Sequence, residues 1–183
     1  MRIKQLGHPI LREQSQAISE QDISSKRVQD TLSFMKETLD GIKAISDENG
    51  NALSAPQVGQ AIRMVLLRLD GDFVPMINPE LIETSETLFE FEEECFSFYN
   101  LRGLTQRHAQ VKVKYLDEEG TEHKISLSGE EAGLIQHEID HLNGVFFTDR
   151  VEDKQSLRSI DYIFKDKPSR LKVVKDMAEY MAQ

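Results

Sequence analysis

The sequence contains very little cysteine, with Cys95 alone among 183 residues. A single cysteine excludes an internal disulfide framework and any CxxC zinc cage within the chain. It fits a reducing compartment, and we therefore expect a cytoplasmic location.

Positive charge is also scarce. Lys and Arg number 22 against 32 Asp and Glu, which gives a formal net charge of −10. A surface of this sign repels the phosphate backbone, whereas nucleic-acid affinity rests largely on basic contacts. We expect no direct nucleic-acid function.

Long hydrophobic runs are missing as well. The longest is MVLL at 64–67, far short of the roughly 20 residues needed to span a bilayer. The first residues, MRIKQLGHPILREQSQ, lack the apolar core of a secretory signal. Repeats and Gly/Ser linkers are not found either. With 39% hydrophobic and 30% charged residues, we expect one soluble domain over 1–183 and no membrane association.

Two helices follow from hydrophobic periodicity. Apolar residues spaced by four and three predict the first helix over 22–45. They are Val28, Leu32, Met35, Leu39 and Ile42. A similar pattern after the break at Pro168 predicts a C-terminal helix over about 169–182.

Strands are indicated at 62–69 and 73–77, joined by a turn at 70–72. Apolar and polar residues also alternate over 111–115 and again over 123–127, with a turn between them, which predicts a β-hairpin. Since strands and helices do not alternate regularly, the fold class is α+β.

The most informative segment is QHEIDH at 136–141. Ser128 and Glu131 have the spacing of a capping box at the start of a helix, and Gly144 supplies a stop. Within that helix, His137 and His141 lie on one face, one turn apart, as H-E-x-x-H metal sites require. An apolar stripe lies roughly opposite, so the helix is expected to be buried. The stripe is Ala132, Ile135, Ile139 and Leu142.

Two imidazoles need a further protein ligand to make a good metal site. The extended pattern H-E-x-x-H-x-x-G-x-x-H is excluded, because its last position is Phe147. Glu152 and Glu179 lie in no recognisable ligand motif, which leaves Cys95 as the candidate. The alternatives are a solvent-facing helix with two ordinary histidines and a cysteine that is only a small buried hydrophobic residue.

At this point the sequence resembles the peptide deformylase family. Three motifs carry the resemblance in the family's order: GNALSAPQ at 50–57, EECFS at 93–97 and QHEIDH at 136–141. Flanking segments such as HPILR at 8–12, INPE at 77–80 and HLNGVF at 141–146 are similar too. The resemblance covers about residues 1–150. It implies antiparallel β-sheets packed around a buried central helix that carries HExxH, with N-terminal and C-terminal helices.

The resemblance also implies roles for individual residues. Cys95, His137 and His141 would bind one divalent metal ion, typically Fe(II), with zinc or nickel as substitutes. Glu138 would move a proton from water to the leaving amine. The Gln57 side chain and the Phe96 backbone N–H would stabilise the oxyanion. The reaction implied is hydrolysis of the N-formyl group from the starting methionine of new peptides, with release of formate.

Substrate contacts are expected from Ala52, Leu53, Glu94 and Arg102. Ala52 and Glu94 depart from the family pattern, which usually has glycine at both positions. The Glu94 carboxylate either lies near the metal and substrate or turns outward to solvent. These departures leave two alternatives open, a shifted amide substrate and a metal-binding homologue without turnover.

The partner implied is an N-formyl-methionyl peptide. A transient ribosome contact through the C-terminal helix is a further hypothesis, because the region is mildly basic. Its cationic residues are Lys165, Lys167, Arg170, Lys172 and Lys175.

Overall fold

The structure is a computed structural model, and it describes residues 2–183. The helices in this range are α1 (Lys26–Ile45), α2 (Gly129–Leu142), α3 (Phe147–Arg150), α4 (Ile160–Ile163) and α5 (Pro168–Ala182). The strands are β1 (Ala52–Ser54), β2 (Met64–Leu69), β3 (Asp72–Thr84), β4 (Leu88–Glu94), β5 (Leu101–His108), β6 (Gln110–Leu116), β7 (Glu122–Ser128) and β8 (Arg158–Ser159). None of these helices combines the length and apolar character that crossing a bilayer demands.

The strands form two antiparallel sheets. One has five strands in the order β1-β2-β3-β6-β7, and the other has three in the order β4-β5-β8. In the larger sheet, β2 and β3 are joined by a tight turn at Asp70 and Gly71, both with positive φ. The predicted hairpin is present, with Val113 opposite Ile125 in the β6–β7 register.

The helix α2 is buried between the two sheets. Its apolar stripe packs on one face of the five-stranded sheet, together with Val65, Leu67 and Met76. Its histidine face is directed towards Glu93 at the end of β4. The prediction of an α+β fold around a buried central helix is confirmed.

The opposite face of the five-stranded sheet is covered by α1 and α5. Because side chains alternate along a strand, Met64 and Leu66 of β2 pack with α1 while Val65 and Leu67 pack with α2. The four consecutive residues 64–67 are therefore all buried, two against α1 and two against α2, which explains the longest apolar run in the sequence. Gly41 lets α5 approach α1, since a Cβ there would overlap the Tyr180 ring.

Several element boundaries differ from those expected. The first helix begins at Lys26, because the Ser25 hydroxyl accepts a hydrogen bond from the Val28 N–H and caps it there. The β3 strand runs on to Thr84, beyond the predicted end at 77. The C-terminal helix, Pro168–Ala182, begins one residue earlier than predicted.

The predicted capping box at the start of α2 is wrong. Ser128 is the N-cap residue, but its side chain makes no capping hydrogen bond. Gly129, immediately after it, has φ +57° and its N–H bonds to the Ala109 carbonyl. The chain therefore turns from β7 into the helix through a left-handed residue, instead of the right-handed geometry that a capping box needs.

Candidate functional site

The two histidines of α2 lie side by side in the interior. The ring centroids of His137 and His141 are 4.8 Å apart and the rings are nearly perpendicular. Their Nε2 atoms approach to 3.1 Å, and both side chains are buried. This placement contradicts the alternative of a solvent-facing helix.

Cys95 joins the histidines from the end of β4. Its Sγ atom is 3.2 Å from His141 Nε2, and the Ser97 N–H donates to the sulfur at 3.4 Å. The donor atoms of Cys95, His137 and His141 all lie within 4.8 Å of one another. The strand end and the following 3-10 turn at Phe96–Phe98 thus bring the thiol to the histidine face of α2.

This donor set fits a divalent metal ion. Two imidazole nitrogens and one thiolate are the ligands that zinc and similar ions take at about 2.0–2.3 Å. Three protein ligands of this kind leave a coordination position open, as catalytic sites require.

A buried carboxylate orients the first histidine. Glu93 accepts a hydrogen bond from His137 Nδ1 at 2.5 Å, which fixes the ring with its Nε2 atom directed at the site. Burial alone would raise the pKa of Glu93, but hydrogen bonds from His137 and Arg107 outweigh it and lower the pKa to about 2. Glu93 is therefore ionised throughout the physiological range.

Arg107 extends this network from β5 back to α2. Its guanidinium donates to Glu93 at 2.8 Å and to Asp140 at 2.7 Å. Arg150 donates to the other Asp140 oxygen at 2.6 Å. Since these groups are charge-paired and mostly buried, they fix α2 and the histidine-bearing face relative to the smaller sheet.

Glu138 is the remaining acid of the motif, and it is buried beside the histidines. Among the residues that the structure describes, no hydrogen-bond partner reaches its Oε2 atom. Burial raises the pKa of this carboxyl to about 7, against the attraction of His137. A carboxyl group with such a pKa can both accept and return a proton near neutral pH.

Gln57 faces the same space with a fixed amide orientation. Its Oε1 accepts hydrogen bonds from the Ser54 N–H and the Ser54 hydroxyl, each at 2.9 Å. Its Nε2 is consequently directed towards Cys95 Sγ at 3.6 Å and Ser97 Oγ at 3.5 Å. The amide N–H groups are thus held as donors beside the Cys95 thiol.

A cavity of about 250 Å³ opens onto these groups. Apolar walls come from Phe91 and Leu134, and the Phe91 ring approaches Gly133 so closely that a Cβ there would lie 2.7 Å from it. The proposed catalytic residues Gln57, Glu138 and Phe96 line the same cavity. For brevity we call it the site cavity.

The four residues expected to contact the substrate lie in three different places. Ala52 and Glu94 line the site cavity. The Leu53 side chain is fully buried in the apolar core between α1 and the sheet, so only its backbone could contact a substrate. Arg102 lies at the rim, where it is directed at Glu94 and not into the site cavity.

Glu94 lines the site cavity, and its carboxylate pairs with Arg102 at the rim. Its Oε2 accepts from Arg102 Nη2 at 2.6 Å and from Arg102 Nε at 2.8 Å. The two residues face each other across the β4–β5 register. The extra negative charge is therefore neutralised at the rim.

Sequence reasoning missed Glu93, Arg107 and Ser54 as parts of the site. The acidic residues at 90–94 resemble a solvated face, and Glu93 is hidden among them. A signal was available, because alternation along a strand places Phe89, Phe91 and Glu93 on one face and Glu90, Glu92 and Glu94 on the other. Arg107 and Ser54 carry no comparable signal.

The chain is similar to known proteins over most of its length. The profile of the polypeptide deformylase family matches residues 1–157. The peptide deformylase of Treponema pallidum (strain Nichols) is 34% identical over 155 residues, which cover 85% of this chain and 90% of the relative. That of Mesorhizobium japonicum is 35% identical over 151 residues, covering 80% and 81%.

Solved structures agree with the sequence relatives. The crystal structure of peptide deformylase from Thermotoga maritima superposes with a TM-score of 0.72 at 32% identity, covering 82% of this chain and 97% of that one. The Synechococcus elongatus enzyme in complex with actinonin gives 0.75 at 30% identity, with coverage of 91% and 85%. A Met-Ala-Ser-bound class I type b peptide deformylase from Acinetobacter baumannii gives 0.74 at 30%, with 81% and 96%.

Proposed function

The chain belongs to the polypeptide deformylase family, and from this membership and the geometry of the site we propose which of its residues carry out the reaction. The protein is a metal-dependent hydrolase that removes the N-formyl group from newly made peptides. The observation that carries the residue assignment is the convergence of Cys95, His137 and His141 beside the buried carboxyl of Glu138.

The metal-binding group consists of Cys95 Sγ, His137 Nε2 and His141 Nε2. A divalent ion held by these atoms would act as a Lewis acid that polarises the formyl carbonyl and acidifies water. We infer Fe(II) as the native ion, on the family resemblance, with zinc or nickel able to replace it. The thiolate and imidazole donors suit all three ions, so the donor set alone does not select among them.

Glu138 is the proton carrier. In hydrolysis, water adds to the formyl carbon, the carbon–nitrogen bond breaks, and the amine leaves with a proton while formate is released. Glu138 would accept the proton from the attacking water and deliver it to the departing nitrogen. Its raised pKa, about 7, suits both steps because neither protonation state is strongly favoured at neutral pH.

Gln57 and Phe96 stabilise the oxygen that becomes negatively charged. The amide of Gln57 is held in one orientation by Ser54, so its N–H donors need little reorganisation when the charge develops. The backbone N–H of Phe96, next to the ligand Cys95, would supply the second donor. Removing one such donor typically costs about 10²- to 10³-fold in rate.

The methionine side chain of the substrate would occupy the apolar part of the site cavity, between Phe91 and Leu134. The Met-Ala-Ser peptide bound to the Acinetobacter baumannii relative supports a methionine-initiated peptide as the substrate class. Ala52 and Glu94 would contact the peptide near the rim of this cavity.

We place the enzyme in the cytoplasm, where new peptides emerge and where a reduced thiol at Cys95 can serve as a ligand.

A transient ribosome contact is proposed for the exposed lysines of the C-terminal region. Cosedimentation with ribosomes should weaken when Lys165 and Lys175 are replaced by Glu. Unchanged cosedimentation would remove the proposal.

The direct test of function is formate release from formyl-Met-Ala-Ser by the purified chain, loaded with Fe(II) under anaerobic conditions. We expect turnover that depends on added metal and stops with a chelator. A metal-loaded, folded chain that releases no formate would contradict the proposed function and leave the two alternatives, a shifted amide substrate and a homologue without turnover.

A further inference from the structure

A second cavity, of about 300 Å³, lies beside the site cavity. It runs between the segment that follows α1 and the C-terminal helix α5. We call it the downstream groove. Its apolar wall consists of Ile45, Phe164, Val173, Val174 and Met177.

The downstream groove adjoins the site cavity. Glu48 and Asn49 line both. Arg102 lines the groove, while its ion-pair partner Glu94 lines the site cavity. The Glu94–Arg102 pair therefore marks the junction between the two.

Charges along the groove are balanced. Its ionic residues are two acids and two arginines, Asp47, Glu48, Arg102 and Arg170. Arg170 pairs with Glu48 at 3.3 Å, and the Arg102 guanidinium lies 5.2 Å from the centre of the Phe164 ring. Since these charges compensate one another, the groove favours uncharged apolar side chains over charged ones.

The apolar wall is built mainly by a part of the chain outside the family match. Phe164, Val173, Val174 and Met177 all follow residue 157, where the match to the family profile ends. Val173 and Val174 are only partly buried, so their surface remains available to a ligand.

We propose that the downstream groove binds the residues of the formylated peptide that follow its first few, with a preference for apolar side chains. This inference rests on the proposed function, because the peptide is placed by its formyl end at Cys95 and His137. An extended peptide advances by about 3.3 Å per residue, so a nascent chain has to leave the site cavity. The shared residues Glu48 and Asn49 place the groove directly beside that cavity, within reach of the departing chain.

The experiment compares three substrates on the full chain loaded with metal: formyl-Met-Ala-Ser-amide, formyl-Met-Ala-Ser-Leu-Leu-amide and formyl-Met-Ala-Ser-Asn-Asn-amide. Burial of one apolar side chain should raise kcat/KM for the Leu-Leu peptide about fivefold or more over the other two. Equal kcat/KM values for all three would overturn the inference and leave the proposed function intact. Absence of formate from every peptide would instead contradict the proposed function.

Variants locate the effect. Val173→Asp should bring the ratio of kcat/KM for the Leu-Leu peptide to that for the short peptide down to about one, because it places a charge in the apolar wall. Leu171→Asp is the matched control, since Leu171 is partly buried on the same helix but does not line the groove. It should keep the wild-type ratio.

A crosslinking experiment tests the groove if Val173→Asp does not fold. A formylated peptide with benzoylphenylalanine at its fifth position should crosslink wild-type protein within 164–177. Crosslinking confined to other segments would refute binding in the groove.

Discussion

Glu94 offers a prediction that depends on its pairing with Arg102. A lone carboxylate beside Cys95 would repel acidic substrates. In the structure Glu94 is the principal partner of Arg102, at 2.6 Å and 2.8 Å. Glu92 lies farther from Arg102, at 3.5 Å, and also pairs with Arg158. Removing the Glu94 charge should therefore leave a net positive rim that attracts acidic substrates.

The magnitude follows from Coulomb's law. A unit charge about 4 Å from Arg102 interacts by about 1 kcal/mol in bulk water and by about 4 kcal/mol at an effective dielectric constant near 20. The Arg102 side chain is 22% exposed, so solvent screening keeps the effect towards the lower figure. Replacing an acidic substrate residue by a basic one reverses the sign of this interaction, so the difference between the two substrates is about 2 kcal/mol. A difference of that size corresponds to more than a tenfold change in the ratio of their kcat/KM values.

The assay measures kcat/KM for formyl-Met-Ala-Asp-amide, formyl-Met-Ala-Asn-amide and formyl-Met-Ala-Lys-amide. We expect wild type to discriminate weakly and Glu94→Gln to prefer the Asp peptide over the Lys peptide by about tenfold more than wild type does. Glu90→Gln is the matched control, because it removes one charge from the same exposed face of β4 without touching the site cavity. The reasoning is refuted if Glu94→Gln keeps the wild-type ratio, or if Glu90→Gln shifts it equally.

Three further predictions concern the carboxyl groups of Glu138, Glu93 and Asp149. Glu138→Ala should retain its metal and lose about 10²- to 10⁴-fold in kcat, and loss of metal on elemental analysis would contradict a role in proton transfer alone. Glu93→Gln should weaken metal affinity about 10- to 100-fold in chelator competition, because the carboxylate orients His137; unchanged affinity would show that orientation is not needed. Asp149 accepts a hydrogen bond from Arg12, which lowers its pKa, so its stabilising effect is present above about pH 4 and is lost as the pH falls through the folded-state pKa. Asp149→Asn should reduce the free energy of unfolding in urea by about 0.5–1 kcal/mol near pH 7 and by less at acidic pH, and an equal loss at both would contradict the assignment.

Local sequence patterns predict the helices and the metal-binding face well. The spacing of Leu32, Met35 and Leu39 determines the buried side of α1, and the four apolar residues of α2 determine that of the central helix. These patterns depend on neighbours within one or two turns, so a single sequence contains the information. The exception is the start of α2, where the backbone of Gly129 overrides the side-chain pattern at Ser128.

The remainder depends on contacts between distant segments. Arg107 meets Asp140 across 33 positions, and Arg102 meets Glu94 only because β4 and β5 pair in one particular register. No local pattern specifies such a register. The charge balance at the rim and the downstream groove could therefore be recognised only once α5 and the smaller sheet had been placed.

The central claim is that Cys95, His137 and His141 bind one catalytic metal ion, and Cys95 tests it most directly. The measurement is metal content per chain together with formate release, for wild type and Cys95→Ala prepared anaerobically with Fe(II). We expect wild type to hold one ion per chain, and Cys95→Ala to lose most of the metal and the activity, because the thiolate is the softest of the three ligands. Full metal content and full activity in Cys95→Ala would contradict the claim.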